Sequence, residues 1–377
     1  MGDRCGRPGN GGGALGAGGL SVDFRAAMER AIALAWSGWG RVGRNPLVGA
    51  LVLRDGEVVG EGFHAEYGGP HAEVAALAAA GAAARGADLV VSLEPCVHHG
   101  KTPPCTGAIL AAGVGRVIFG AHEEDPAARG GAGVLAKAGV AVEGGLLEEA
   151  VRAQNALFFH RFAGRERPFV ALKLAVSLDA RIADRDGRSQ WISGPEARDF
   201  VQWLRAGFDA LGVGGGTAKA DDPGLTVRGS VVPATPPLRV VFDRRGELSP
   251  ESKLARTARE TPTLALVGRD AQGASGALRA AGVEIAAADG PPEALAVLAG
   301  RGVGSVLVEG GGVVAGRMLT EDVVDRLYLI VAPLVLGEGG VPAFAGLPGV
   351  ALESAARWRT VERRPLGPDT LLVLDRR

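Results

Sequence analysis

Apolar residues recur along this chain on two alternating periods, one helical and one extended. Between residues 24 and 36, Phe24, Met28, Ala31, Ile32 and Ala35 fall at helical spacing, which predicts a helix. Residues 48–54 and 57–64 read as strands. Asp55-Gly56 between them marks a hairpin, because both turn positions need positive φ. An Ala-rich helix is expected over 72–84, with Pro70 near its start, then a short apolar strand over 88–93. A helix over 105–112, a strand over 116–120 and a helix over 131–138 follow. The order α-β-β-α-β-α-β-α predicts an α/β/α sandwich.

A connecting helix is expected over 146–162, ending near Gly164-Arg165. A second α/β run then begins, with strands at 169–175, 210–212, 238–243, 263–267, 283–286, 305–308, 326–331 and 370–374. Helices fall between them, at 195–206, 292–299 and 313–320. At roughly 100–200 residues per domain, 377 residues suit two domains. We divide the chain into a leader (1–20), a first domain (21–147), a connector (148–165) and a second domain (166–377).

Composition sharpens this division. Glycine is in excess, 60 of 377 residues, about twice the usual share. The Gly-rich leader is expected to be disordered, and it has no apolar stretch of the kind a secretory signal needs. No apolar run reaches the ~18 residues of a membrane span. A net charge of −1 and 5% aromatic residues argue against a nucleic-acid partner. Three cysteines cannot build a disulfide framework, and an odd count suits the reducing cytoplasm. Cys5, in the leader, is a bystander. All six histidines lie in the first 160 residues, and no histidine or cysteine follows them. Metal and imidazole chemistry therefore belongs to the first domain.

His71-Ala72-Glu73 opens one helix, Pro95-Cys96 ends a strand, and Cys105 opens the next helix. One imidazole and two thiolates leave the fourth position of a tetrahedral zinc site for water, which is a catalytic rather than a structural pattern. Zinc lowers the pKa of such a water to about 7. Glu73 is then free to shuttle protons to a leaving amine. H-x-E followed by P-C and a second Cys is the zinc deaminase signature, although eight residues here separate the cysteines where two are usual. On residue type alone, His98 or His99 is an alternative ligand. In the second domain, two Gly-rich turns follow predicted strands, at 212–217 and 309–316. Such turns admit close backbone approach and place helix N–H groups at a pyrophosphate. Neither matches the G-x-G-x-x-G dinucleotide pattern.

Asn45-Pro46-Leu47-Val48-Gly49, His71-Ala72-Glu73 and the stretch from Leu93 to Cys105, with its His98-His99-Gly100-Lys101 loop, resemble the deaminase half of the bifunctional riboflavin-biosynthesis deaminase/reductases. The stretches 172–179, 189–193, 216–217, 221–228 and 308–311 resemble the reductase half. The resemblance covers nearly everything after residue 21. It implies a cytidine-deaminase-like sandwich followed by a dihydrofolate-reductase-like α/β domain. It implies zinc, one ion per chain, and NADPH as cofactors, and a small phosphoribosyl-pyrimidine as substrate. The implied reactions are deamination of 2,5-diamino-6-(5-phosphoribosylamino)pyrimidin-4(3H)-one and reduction of the ribosyl chain to ribityl. A homo-oligomer is expected.

By the same likeness, Asn45 and His98 meet the pyrimidine nucleotide, and Lys101 suits its phosphate as a point charge. Ala175, Trp191, Thr217 and Asp221 line the nicotinamide cleft. The stretch Gly311, Gly312, Val313, Val314, Ala315, Gly316 and Arg317 takes the cofactor phosphates. Lys173, Ser189, Arg205, Leu225, Arg228 and Glu309 hold the reductase substrate. Three departures stand out. Asp125-Pro126-Ala127-Ala128 replaces the usual Asp-Pro-Asn-Pro and is about one residue shorter, so a substrate contact from that loop is absent or supplied elsewhere. Ala180-Arg181 stand where Gly-Lys is usual. Arg244-Arg245 follow the strand ending at Asp243, where a hydroxyl residue is usual, and an arginine there suits the 2′-phosphate of NADP. The competing reading is a nucleic-acid base deaminase of the tRNA type with an accessory binding domain. The charge balance and the scarce aromatics count against it.

Overall fold

The structure is a computed structural model and describes residues 23–377; the leader and Cys5 lie outside the described residues. The first sheet contains β1 (Gly49–Arg54), β2 (Glu57–Phe63), β3 (Asp88–Leu93), β4 (Arg116–Ala121) and β5 (Ala141–Glu143), in the order β2-β1-β3-β4-β5. Asp55 and Gly56 take φ of 53° and 86°, as the β1–β2 hairpin requires. β5 was not expected, because three residues at a sheet edge show no period. Helices α1 (Phe24–Ala35), α2 (Ala72–Ala80), α3 (Cys105–Ala112) and α4 (Gly131–Lys137) cover the sheet.

Alternation along β1 explains the layering. Leu51 and Leu53 pack with Met28 and Ala31 of α1, whereas Ala50 and Val52 pack with Ala76 and Leu77 of α2. On β2, a Cβ added to Gly60 or Gly62 would stand 2.4 Å from the Ala76 carbonyl oxygen or 2.5 Å from its nitrogen. Glycine on the strand and alanine on the helix let α2 lie directly on the sheet. Part of the glycine excess is thus a packing device. α2 stops at Ala80 rather than residue 84, where Gly81 turns to φ 54°.

The expected connecting helix is broken into α5 (Glu148–Gln154) and α6 (Ala156–His160). The Asn155 side chain accepts from the Leu47 amide at 2.7 Å and donates to the Leu47 carbonyl at 3.0 Å. Val151, Phe158 and Phe159 are buried in the first domain's core, so this segment packs with that domain.

The second domain is built on β6 (Phe169–Val176), β7 (Arg181–Ala183), β8 (Ala210–Gly214), β9 (Leu238–Phe242), β10 (Thr263–Val267), β11 (Glu284–Ala287), β12 (Ser305–Glu309), β13 (Arg326–Val331), β14 (Val341–Pro342), β15 (Trp358–Leu366) and β16 (Asp369–Arg376). Nine of them form one sheet in the order β11-β10-β9-β8-β12-β6-β13-β16-β15, and β7 pairs with β14. β11 to β13 run parallel, and β16 and β15 complete the edge as an antiparallel hairpin. β15 shows no strand period in the sequence because its exposed edge carries Arg363, Arg364 and Pro365. The helices are α7 (Pro195–Arg205), α8 (Gly215–Asp221), α9 (Lys253–Arg256), α10 (Gly276–Ala281), α11 (Pro291–Gly300) and α12 (Gly312–Thr320). The first glycine-rich turn is therefore the start of α8.

The first domain docks on the N-terminal ends of the second domain's strands. Ala234, just before β9, donates to the Gly40 carbonyl at 2.9 Å. Arg44 reaches Asp209, just before β8, at 3.8 Å. Arg326 at the start of β13 donates to the Ala153 carbonyl at 2.8 Å.

Candidate active sites

Two helix starts and one strand end converge in the first domain. His71 is the N-cap of α2, Cys105 is the first residue of α3, and Cys96 follows β3. The His71 Nδ1 lies 3.2 Å from Cys105 Sγ and 3.5 Å from Cys96 Sγ, and all three ligand atoms fall within 4.8 Å of one another. Tetrahedral zinc with bonds of about 2.0–2.3 Å needs donors roughly 3.5–4 Å apart, so this donor set fits the ion. The Cys105 thiol beside Cys96 holds Cys96 far below the ordinary thiol value, at about 4, and the same contact pushes Cys105 up. Neither His98 nor His99 joins the cluster, which sets aside the alternative ligands.

Glu73 sits on the first turn of α2, beside the cluster, and is buried. Burial pushes its carboxyl up to about 7, so it holds and releases a proton near neutrality. Asn45 donates from Nδ2 to His64 Nε2 at 3.1 Å, and His64 Nδ1 donates to the Pro70 carbonyl at 3.0 Å. Burial holds His64 below its ordinary value, which keeps the ring neutral and suits that pair of roles. The His64 ring stands 5.3 Å from that of His71. Lys101 stacks its ammonium 4.1 Å over the Tyr67 ring, and His98 is half-buried with Nδ1 unpaired.

Reading the sequence missed His64 and Glu123. His64 follows the last residue of β2, and its distance of seven residues from His71 matches no ligand spacing. Glu123 is buried at the shortened loop and accepts from the Asp125 amide at 2.9 Å. Burial pushes it up to about 7, the nearby Cys96 charge acts in the same direction, and the charge of Glu123 in turn raises His71.

The second domain opens a cleft of about 1280 Å³ at the C-terminal ends of its parallel strands. This is where open α/β sheets bind ligands. Lys173, Ala175, Ser189, Trp191, Arg205, Thr217, Asp221, Leu225, Arg228, Arg244 and Glu309 all line it. So do Gly311, Gly312, Val313, Val314 and Arg317. Ala315 and Gly316 do not line it. A Cβ on Gly312 or Gly316 would stand 2.2 Å from the carbonyl oxygens of Pro342 or Ala345, so these glycines admit a neighbouring segment to α12.

A buried charge cluster forms the floor. Arg205 forks onto Glu309 with contacts of 2.5 and 2.9 Å and donates to the Thr226 carbonyl at 3.0 Å. Burial raises the Glu309 pKa, but Arg205 outweighs it and leaves the carboxyl below its ordinary value. Burial lowers Lys173. Ser189 Oγ lies 3.4 Å from Asp221, and the Arg198 guanidinium lies 4.5 Å from the exposed Trp191 ring. Ala180, where glycine is usual, takes φ 58°, a left-handed conformation that explains the preference for glycine there.

Comparison with known proteins agrees with this two-site arrangement. The profile for the cytidine and deoxycytidylate deaminase zinc-binding region matches residues 22–121, and that for the RibD C-terminal domain matches residues 168–372. The riboflavin biosynthesis protein RibD of Bacillus amyloliquefaciens is 37% identical over 356 residues, covering 92% of this chain and 94% of the relative. RibD of Escherichia coli is 37% identical over 363 residues, covering 92% and 98%. The crystal structure of a Thermotoga maritima diaminohydroxyphosphoribosylaminopyrimidine deaminase/5-amino-6-(5-phosphoribosylamino)uracil reductase superposes with a TM-score of 0.78 at 35% identity, covering 94% of this chain and 99% of that one. The tRNA-type reading is not favoured. The chain belongs to the RibD family, the bifunctional deaminase/reductases of riboflavin biosynthesis, with a zinc-binding deaminase domain and an NADPH-dependent reductase domain.

Proposed function

We propose specific residues for each half-reaction. In the deaminase, His71, Cys96 and Cys105 hold zinc, which when bound supplies an acidified water at neutral pH. Glu73 moves protons and delivers one to the departing amine. Asn45, held by His64, meets the pyrimidine edge together with His98, and Glu123 offers a carboxylate from the shortened loop. Lys101 takes the phosphate. In the reductase, the C-terminal strand ends and the start of α12 hold NADPH. Lys173, Ser189, Arg205, Leu225, Arg228 and Glu309 hold the phosphoribosyl substrate. Hydride transfer then needs positioning and charge, not a nucleophile of the protein. The observation that carries this reading is the separation of the sites: the deaminase domain docks on the N-terminal strand ends, whereas the second cleft opens at the C-terminal ends.

The deaminase unit extends through the connector, since Val151, Phe158 and Phe159 belong to its core. No helix among the described residues is long and apolar enough to cross a membrane. We place the enzyme in the cytoplasm as a homo-oligomer; the neighbouring exposed residues Leu178 and Val335 offer an apolar surface for a second copy.

Lys101→Ala tests the phosphate assignment. It raises the deaminase KM for the phosphorylated substrate about tenfold, leaves that for the dephosphorylated nucleoside unchanged, and does not alter reduction. An equal KM change for both substrates rejects the assignment. Arg244 and Arg245 test the cofactor preference. Both are exposed beside the cleft, and Arg245 lies 3.6 Å from Glu247. Replacing both by Ala weakens NADPH about tenfold or more and leaves NADH unaffected. An unchanged NADPH/NADH preference sinks the idea.

A further inference from the structure

We infer that Trp39, a residue of the deaminase domain, is a positioning residue for the reductase: its indole fixes the end of α7 that carries Arg205. This inference rests on the substrate role proposed for Arg205.

Trp36 and Trp39 lie at and just beyond the end of α1, outside the zinc site. Across the domain boundary they meet Trp203 of α7. Trp39 and Trp203 stack with centroids 5.1 Å apart, Trp36 meets both edge-on at 5.4 Å, and Phe208 closes the cluster at 6.3 Å from Trp39. Trp39 belongs to the hydrophobic core of the second domain, not to that of its own. A Cβ on Gly207 would stand 2.0 Å from the Trp39 ring, so the indole rests directly on the backbone leaving α7.

A helix ends with carbonyls that find no partner inside it. The Trp203 carbonyl takes the capping Ala206 N–H at 3.2 Å, and Trp39 adds a second donor from the other domain, its Nε1–H at 2.9 Å. Two residues further on, Arg205 makes its two contacts with Glu309 and one with the Thr226 carbonyl. Thr226 lies between the substrate residues Leu225 and Arg228. Hydrogen bonds of this kind weaken steeply as geometry slips. The seating of the last turn of α7 therefore sets how Arg205 faces the substrate. The residues proposed for the NADPH phosphates, at the start of α12, lie on another element than the last turn of α7, so cofactor binding is expected to be independent of this contact.

The test uses the full-length chain with three variants. Trp39→Phe keeps the ring and removes the N–H, Trp39→Ala removes both, and Arg205→Lys probes the underlying assignment. For each, reduction of the deaminated phosphoribosyl intermediate, deamination without NADPH, and thermal midpoint are measured. Trp39→Phe raises the KM for the intermediate about threefold and Trp39→Ala about tenfold, with the NADPH KM and deamination within about twofold of the parent. Arg205→Lys raises the same KM. If Arg205→Lys does so and folded Trp39→Ala does not, the positioning role is wrong and the role of Arg205 stands. If Arg205→Lys leaves the KM unchanged, the role of Arg205 itself is wrong. Equal loss of both activities in Trp39→Ala reduces Trp39 to a structural residue and overturns the inference.

Discussion

Glu73→Gln retains zinc, loses deamination by about a thousandfold, and reduces the deaminated intermediate at the parent rate. The three predictions have separate physical causes. The proposed zinc donors are the His71 Nδ1 and the two sulfurs of Cys96 and Cys105; the substitution replaces none of these atoms, and the glutamine amide still faces the Cys105 sulfur that Glu73 contacts. Glutamine is nearly isosteric and neutral, so the buried site keeps its packing. What disappears is a carboxyl that burial has brought to about 7, where it both accepts and donates a proton. Positioned acid–base groups contribute about 10²–10⁴ in rate. Reduction is spared because the second cleft opens at the far ends of a different sheet. Metal analysis, ammonia release and NADPH consumption check the three parts. Loss of reduction in a folded, zinc-loaded variant would show that the two sites are not independent.

Glu309→Ala has the opposite pattern: it abolishes reduction, destabilises the second domain and spares deamination. Arg205 and Glu309 are only 12% and 10% exposed, with Lys173 half-buried beside them. Removing the carboxylate leaves buried cations without a partner, a change that typically costs about 3–5 kcal/mol. For a domain of this size that lowers the unfolding midpoint by roughly 10 °C. The pH dependence has a definite sign. Arg205 holds the folded-state pKa of Glu309 below its unfolded value of about 4.3. The pair's contribution is therefore complete above that unfolded value and is lost as pH falls through the lowered one. Calorimetry of parent and variant between neutral and acid pH measures this. A variant as stable as the parent at neutral pH would contradict the buried-pair assignment.

Much of the site was legible in the sequence because its chemistry uses scarce residues. His71, Glu73, Cys96 and Cys105 are conspicuous in a chain with six histidines and three cysteines. The reductase residues are common types, and only the family resemblance singled them out. What stayed hidden was long-range. His64 supports Asn45 across 19 residues, and Trp39 reaches Trp203 across 164, pairings that no local period records. Glycine was ambiguous for a related reason. Gly60, Gly62, Gly312 and Gly316 each admit a close neighbour that only the fold reveals. The missed strands, β5, β7, β14 and β15, are short or lie at an edge, where one-sided exposure weakens the alternation. The break at Asn155 came from a side chain preferring the Leu47 backbone to continuation of its own helix.

The most direct test of two sites working in series is product analysis on the parent enzyme. The diaminopyrimidine phosphoribosyl substrate is incubated with and without NADPH, and ammonia and nucleotides are identified. Two sites in series predict ammonia release in both cases, accumulation of the deaminated ribosyl compound without NADPH, and the deaminated ribityl compound with it. Ammonia release that requires NADPH, or reduction of the diamino substrate before any ammonia appears, would contradict that order.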